Sequence, residues 1–154
     1  RKIRARLFYV TEDGQRLRAV ERDVPFGATT VEQAEALVRE QLQPAPAPLA
    51  SAMPAGTGLR AVFLTPSGDA YVDLTREATA NHTGGSLDEL FSVYTIVNLL
   101  TSNLPAIQRV QILVEGQEVD SLAGHIDLRQ PLPRSDRWTE GPPARPPAED
   151  APTP

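Results

Sequence analysis

The chain has 154 residues, a formal net charge of -5 and no cysteine. That length suits one domain with its own core, and a chain without cysteine has neither a disulfide framework nor a thiolate zinc site. Two histidines are too few for a histidine-only metal centre, and a net negative charge argues against general nucleic-acid binding, which draws on lysine and arginine facing phosphates.

Residues 3–10, "IRARLFYV", alternate polar and apolar side chains before turning apolar, the pattern of a strand with one face in a core. Asp13-Gly14 supplies a turn, "RLRAVERDV" resumes the alternation, and Pro25 closes the first hairpin. Arg16, Arg18 and Arg22 with the basic stretch "RKIRARLFYV" give this hairpin a basic face, read first as solvated strand positions and second as a phosphate or membrane-surface patch.

From Thr29 the period becomes helical, with Val31, Ala34, Leu37, Val38 and Leu42 on one face. Thr29 and Glu32 fit a capping box and Pro44 stops the helix. "PAPAPLASAMPAGTG", residues 44–58, has no period and reads as a loop, either an insertion or a binding edge.

"LRAVFLT" and "AYVDLT", joined by "PSGD", predict a second hairpin with Val62, Leu64, Val72 and Leu74 turned to the core. Ser86 and Glu89 repeat the capping-box pattern ahead of the longest helix, whose stripe of Leu90, Phe91, Tyr94, Val97, Leu100 and Leu104 is wide enough for burial on much of its surface. "VQILV" and a short partner near 118–122 complete the sheet. No run approaches the ~20 apolar residues of a membrane helix. From Pro133 the chain is proline-rich and is expected to be a disordered tail, with Trp138 its one large apolar residue.

The order β-β-α-β-β-α-β, with a short final strand, favours an α+β fold with two helices packed on one face of a mixed β-sheet. The domain is expected to span residues 3–132, followed by the tail at 133–154.

Candidate chemistry is sparse. His125 and Asp127 share a face if extended, and with Asp120 nearby they could gather a cation. Neither Ser121 nor Ser135 has the setting of an activated nucleophile, so a histidine stabilising a turn is the stronger reading. Gly84-Gly85 precedes a helix start, where free N–H groups receive anions, but the lysine of a phosphate-binding loop is missing. His82 has no visible partner. Asp69, Asp73 and Glu77 could form an acid/base pair with a helper, but sequence separation does not fix their distance, and alternation puts Asp73 on the outer sheet face, where a solvated role is expected.

Taken in order, "LFYVTEDGQRLRAVERDV", "MPAGTGLRAVFLTPSGDAYVDLT" and "TGGSLDELFSVYTIVNLLTSNLPAIQRVQILVEGQEVDSLAGHIDLRQPL" resemble the GerMN domain, the sporulation and spore germination domain of bacterial cell-envelope proteins. The resemblance covers about residues 3–132. It implies a non-enzymatic, extracytoplasmic module, commonly part of a lipoprotein, with no cofactor and no nucleic-acid partner. Its partner would be an envelope protein or a second copy of itself, with membrane attachment only through a lipid anchor upstream; the basic hairpin and Gly84-Gly85 at a helix start support the alternative of cell-wall glycan or another anionic envelope ligand. The chain starts at Arg1 and lacks the lipid-bearing cysteine, and it carries Gln43-Pro44 where many members have Gly-Pro. It also carries one such domain where the best-known member has two. Gly84, Gly85, Gly116, Gly124, His125 and Asp127 are then expected to form a structural or docking signature, with no catalytic or metal-binding role.

Overall fold

The computed structural model describes residues 1–141. Strands β1 (Lys2–Val10) and β2 (Leu17–Pro25) pair antiparallel from Lys2↔Pro25 to Val10↔Leu17. Their turn is held by Asp13, whose Oδ1 accepts the Thr11 hydroxyl at 2.6 Å and the Gln15 N–H at 3.1 Å, while Gly14 supplies a φ of 73°. Helix α1 (Thr30–Gln41) begins as its sequence predicts, with the Glu32 N–H on Thr29 Oγ1 at 3.1 Å. The Glu32 carboxylate reaches back one residue further than in the usual box, to the N–H of Ala28.

Strands β3 (Leu59–Leu64) and β4 (Asp69–Leu74) form the second expected hairpin. A short helix that the sequence pattern did not reveal, α2 (Glu77–Ala80), precedes α3 (Ser86–Asn103). Strand β5 (Arg109–Val114) then lies parallel to β4, so α3 is the crossover that a parallel pair requires. Two-residue strands β6 (Gln117–Glu118) and β7 (Leu132–Pro133) both pair antiparallel with β5. The class is α+β with a mixed sheet, as expected.

The strands fall into two sheets, the β1–β2 hairpin and a five-stranded sheet ordered β3-β4-β5-β6 with β7 beside β5. A reason for the split lies along the outer edge of β1. Its Arg6 N–H and C=O are bonded by the Asn103 side-chain amide, those of Phe8 by the Gln41 amide, and those of Val10 by the backbone of Ala50. No backbone groups are left there from Arg6 to Val10 for a further strand to join.

Helix α3 packs against both β1 and β5, which explains why Phe91, Val93, Ile96, Val97, Leu99 and Leu100 are all buried around its circumference. Leu7, Phe8, Leu37, Val38, Val72, Leu74 and Ile112 complete the core. Each such side chain contributes roughly 1.5–3 kcal/mol by leaving water.

The path beyond residue 132 differs from the expected free tail. The Leu17 N–H donates to Trp138 O at 2.9 Å, the Glu140 N–H donates to Leu17 O at 2.8 Å, and the Asn98 amide bonds both backbone groups of Ser135. Proline content suggested disorder, but the intervening Ser-Asp-Arg-Trp-Thr-Glu run supplies the N–H groups that the prolines lack. The rest of the expected tail, 142–154, lies outside the described residues.

Candidate functional site

The pattern Ser86-x-x-Glu89 does not form a capping box. Gly85 is the N-cap of α3 and no side chain caps it. Glu89 instead sits fully buried, with its carboxylate turned to the loop after β6. Oε2 accepts the N–H groups of Leu122 (2.8 Å) and Ala123 (2.9 Å), and Oε1 accepts the His125 N–H (2.8 Å) and faces the His125 ring Nδ1 at 3.1 Å. Burial pushes the Glu89 carboxyl up, but the three backbone donors and the histidine together outweigh it and hold the carboxyl below its ordinary value. A carboxylate with four donors stays ionised and only accepts, which places the imidazole proton on Nδ1.

This arrangement makes residues 120–128 a compact loop. Its ends meet where the Leu128 N–H donates to Asp120 O at 2.9 Å, and Leu122 and Leu128 are buried beneath it. Gly124, at φ 96°, donates its N–H to Ser121 Oγ at 2.8 Å, so the Ser121 hydroxyl serves the turn. Asp127 binds Arg129 through both carboxylate oxygens, each at 2.9 Å, and this guanidinium lowers its pKa to about 2. Asp120, His125 and Asp127 do line one open recess, of about 290 Å³. Among the described residues, no three metal-capable side chains converge on a cation position.

Gly84 and Gly85 take φ values of 83° and 88°. The Gly84 N–H donates to His82 Nδ1 at 3.0 Å, so this ring carries its proton on Nε2 when neutral and directs it at Ser92 Oγ, 3.1 Å away. Ser92 in turn donates to Ala52 O at 2.6 Å. His82, without a visible partner in the sequence, thus ties the 82–85 turn to α3 and to the loop after α1. Its polarity is the reverse of what a general base needs, because Nε2 gives a proton to the serine.

Gly116, at φ 75°, follows Glu115 at φ 50°, the two left-handed residues of a tight hairpin turn between β5 and β6. The Gly116 N–H donates to Asp73 Oδ1 at 2.8 Å, and Arg60 Nε donates to Asp73 Oδ2 at 3.1 Å. Asp73 is therefore buried and spent on the turn, contrary to the expected solvated position. Asp69 binds Arg109 at 2.6 Å. The expected signature residues thus stand at three separate turns, 84–85, 115–116 and 120–128.

Four amides that bond distant backbone, Gln33, Gln41 and Asn98 buried and Asn103 half-buried, are the residues that sequence reasoning missed. Gln33 accepts from the Gly27 N–H and donates to Pro25 O; Gln41, Asn98 and Asn103 each bracket the N–H and C=O of one residue, Phe8, Ser135 and Arg6 respectively. The available signal was an amide inside an apolar helical stripe, as in "YTIVNLLT".

The basic hairpin also has a definite place. Arg4 pairs with Glu21 and Asp23, while Arg6, Arg16, Arg18 and Arg134 line a cavity of about 1080 Å³ between the hairpin and residues 136–141. Arg18 holds Glu140 through Nε (2.8 Å) and Nη2 (3.2 Å). Hydrogen bonding and charge from this pair raise the arginine and lower the acid.

A family model described as Germane, sporulation and spore germination, matches residues 6–120. No curated protein matches the chain. Among solved structures, a candidate lipoprotein from Clostridium perfringens superimposes with a TM-score of 0.61 at 23% identity, over 88% of this chain and 89% of that one. The tandem GerMN domains of the sporulation protein GerM from Bacillus subtilis give 0.62 at 22% identity; the match covers 88% of this chain and 45% of that one, so the chain spans about half of that pair. The first GerMN domain alone gives 0.55 at 20% identity, over 89% and 97% of the two chains. At these identities the likeness is one of fold.

Proposed function

We propose, from the premise that the chain belongs to the Germane family of sporulation and spore germination domains, that it is a non-enzymatic docking module of the bacterial cell envelope. It works outside the cytoplasm and binds another envelope protein. A similar fold in a candidate lipoprotein supports a place in the envelope, and no helix among the described residues is long and apolar enough to cross a membrane. The observation that carries the reading is how the polar groups are used. Glu89 and Nδ1 of His125 are committed to each other, Ser92 is committed to Ala52, and Asp73 to a turn. These contacts build rigid turns around the domain, which suits a surface that must be presented in one shape.

Pull-down from envelope extracts, together with size-exclusion chromatography and light scattering, tests this. The expected outcome is a specific protein partner or a self-associated species. A chain that stays monomeric and retains no protein overturns the reading, as does a catalytic activity that depends on His125.

The arginine cavity favours a second reading, binding of an anionic envelope polymer such as peptidoglycan. Cosedimentation with purified peptidoglycan at low salt decides it, and absence of retention excludes it.

A further inference from the structure

An unpaired strand edge is a row of free N–H and C=O groups, ready to pair with another chain. Along β1 these groups are closed from Arg6 to Val10 by Asn103, Gln41 and Ala50. Backbone direction alternates along a strand, so the cross-strand partners of Val10, Phe8, Arg6 and Arg4 turn outward on β2; these are Leu17, Ala19, Glu21 and Asp23. Leu17 is taken by Trp138 and Glu140. Among the described residues, no hydrogen bond beyond those of the hairpin reaches the backbone of Ala19, Glu21 or Asp23.

The edge already accepts a strand at one position. Residues 138–140 run parallel to β2 at Leu17, where Thr139 forms a bridge. In that register the next N–H, for Ala19 C=O, would come from position 142, which is a proline followed by another, and neither has an N–H to give. Continued in that register, the chain's own strand would lack the bond to Ala19 C=O, which a segment with an N–H at that position supplies.

The charge beside the edge selects what that strand carries. Ala19 and Arg18 lie on the wall of the arginine cavity. Four guanidinium groups there, of Arg6, Arg16, Arg18 and Arg134, face two carboxylates, of Asp136 and Glu140, which leaves two positive charges in excess on a chain of net charge -5. Among the described residues Arg6 makes no ion pair, and the Arg16 guanidinium donates only to Arg137 O at 3.4 Å. At the far end of the edge, Glu21 and Asp23 share one partner, Arg4, which leaves that end one charge negative.

We propose that the open edge of β2 docks an extended acidic segment of a partner protein by strand addition, with the partner's carboxylates on Arg6 and Arg16. This names the surface used by the docking module above and rests on that reading. Backbone pairing along Ala19, Glu21 and Asp23 supplies affinity, and the arginines set which end of the segment is acidic.

The test uses the whole chain and a short peptide of alternating valine and glutamate, read by amide hydrogen exchange. At saturating peptide, exchange at Ala19, Glu21 and Asp23 slows by about tenfold or more, while Leu17 is unchanged. Ala19→Pro is compatible with an edge strand and removes the docking N–H; it weakens peptide binding about tenfold, and so does the exposed pair Arg6→Glu with Arg16→Glu, which leaves the backbone intact.

Peptide binding without slowed exchange at the three amides overturns the inference. So does equal binding of inorganic polyphosphate with the same protection, which makes the cavity an anion site, or protection that grows with protein concentration alone, which assigns the edge to a second copy. A partner retained equally by wild type and Ala19→Pro ends the edge site and leaves the docking module standing. A wild-type chain that stays monomeric and retains no partner ends the module, even if the peptide binds.

Discussion

Glu89 and His125 are bound to each other twice, through the histidine's backbone N–H at 2.8 Å and its ring Nδ1 at 3.1 Å. The carboxylate is fully buried whereas the imidazole is about half exposed, so the pair joins the core helix to the surface of the 120–128 loop. Replacing Glu89 with Gln keeps the shape but turns an NH₂ group toward backbone donors. We expect a loss of about 2–3 kcal/mol, since hydrogen bonds to a charged acceptor are lost and buried N–H groups go unpaired. Urea denaturation measures it; a change below about 0.5 kcal/mol would show that the loop does not depend on this carboxylate.

Acid should loosen the same contact. The folded-state pKa of Glu89 lies below its ordinary value of 4.5, so the unfolded chain takes up the proton first as pH falls. The contribution is complete above that ordinary value and disappears as pH falls through the folded one. The wild-type urea midpoint should therefore drop across this window more than that of Glu89→Gln. Asp127→Asn should follow the wild-type curve closely, because the Asp127–Arg129 pair is exposed and solvent-screened. Parallel curves for wild type and Glu89→Gln would contradict this.

The amide brackets predict large effects from nearly isosteric changes. Gln41→Leu strands both the N–H and the C=O of Phe8 in the core, at an expected cost of about 2–4 kcal/mol by thermal or urea unfolding. Asn98→Leu should release Ser135 and with it the segment beyond. Faster amide exchange at Leu17, whose N–H donates to Trp138 O, would report that release from a position in a different sheet.

The glycines should divide by what a methyl group would meet. At Gly116 a Cβ finds only ordinary contacts, with Asp73 at 3.8 Å and Arg60 at 3.9 Å, so Gly116→Ala costs only the left-handed backbone, about 1 kcal/mol. At Gly27 a Cβ would overlap the Gln33 backbone nitrogen and come within 2.7 Å of the Glu32 carbonyl carbon. Gly27→Ala should therefore displace the start of α1 and cost more than Gly116→Ala. Comparing their melting temperatures checks the order.

Local patterns carried the sequence reading a long way. The Asp13-Gly14 turn, the Thr29 cap and the strand at "AYVDLT" each depend on neighbours a few residues off, and each appears in the structure. The same local rule misassigned Glu89, because its partners lie 33 to 36 residues further on and outcompete the nearby cap. His82 and Asp73 were misread for the same reason, their partners being Ser92 and Gly116. The two-sheet arrangement was hidden because strand patterning reports which face is buried and says nothing about what closes an edge; here that role falls to Gln41 and Asn103, whose partners are distant backbone.

The order of the last contacts along the chain has a mechanical consequence. A pull on the chain beyond Gly141 first loads the Arg18–Glu140 ion pair, then the hydrogen bonds of Glu140 and Trp138 to Leu17, then the Asn98 bracket on Ser135, and only afterwards β7 in the five-stranded sheet. Traction from that side is thus absorbed in steps by the hairpin and by α3 before it reaches the sheet that carries the Gly116 turn, much as a cable clamp spares the joint behind it.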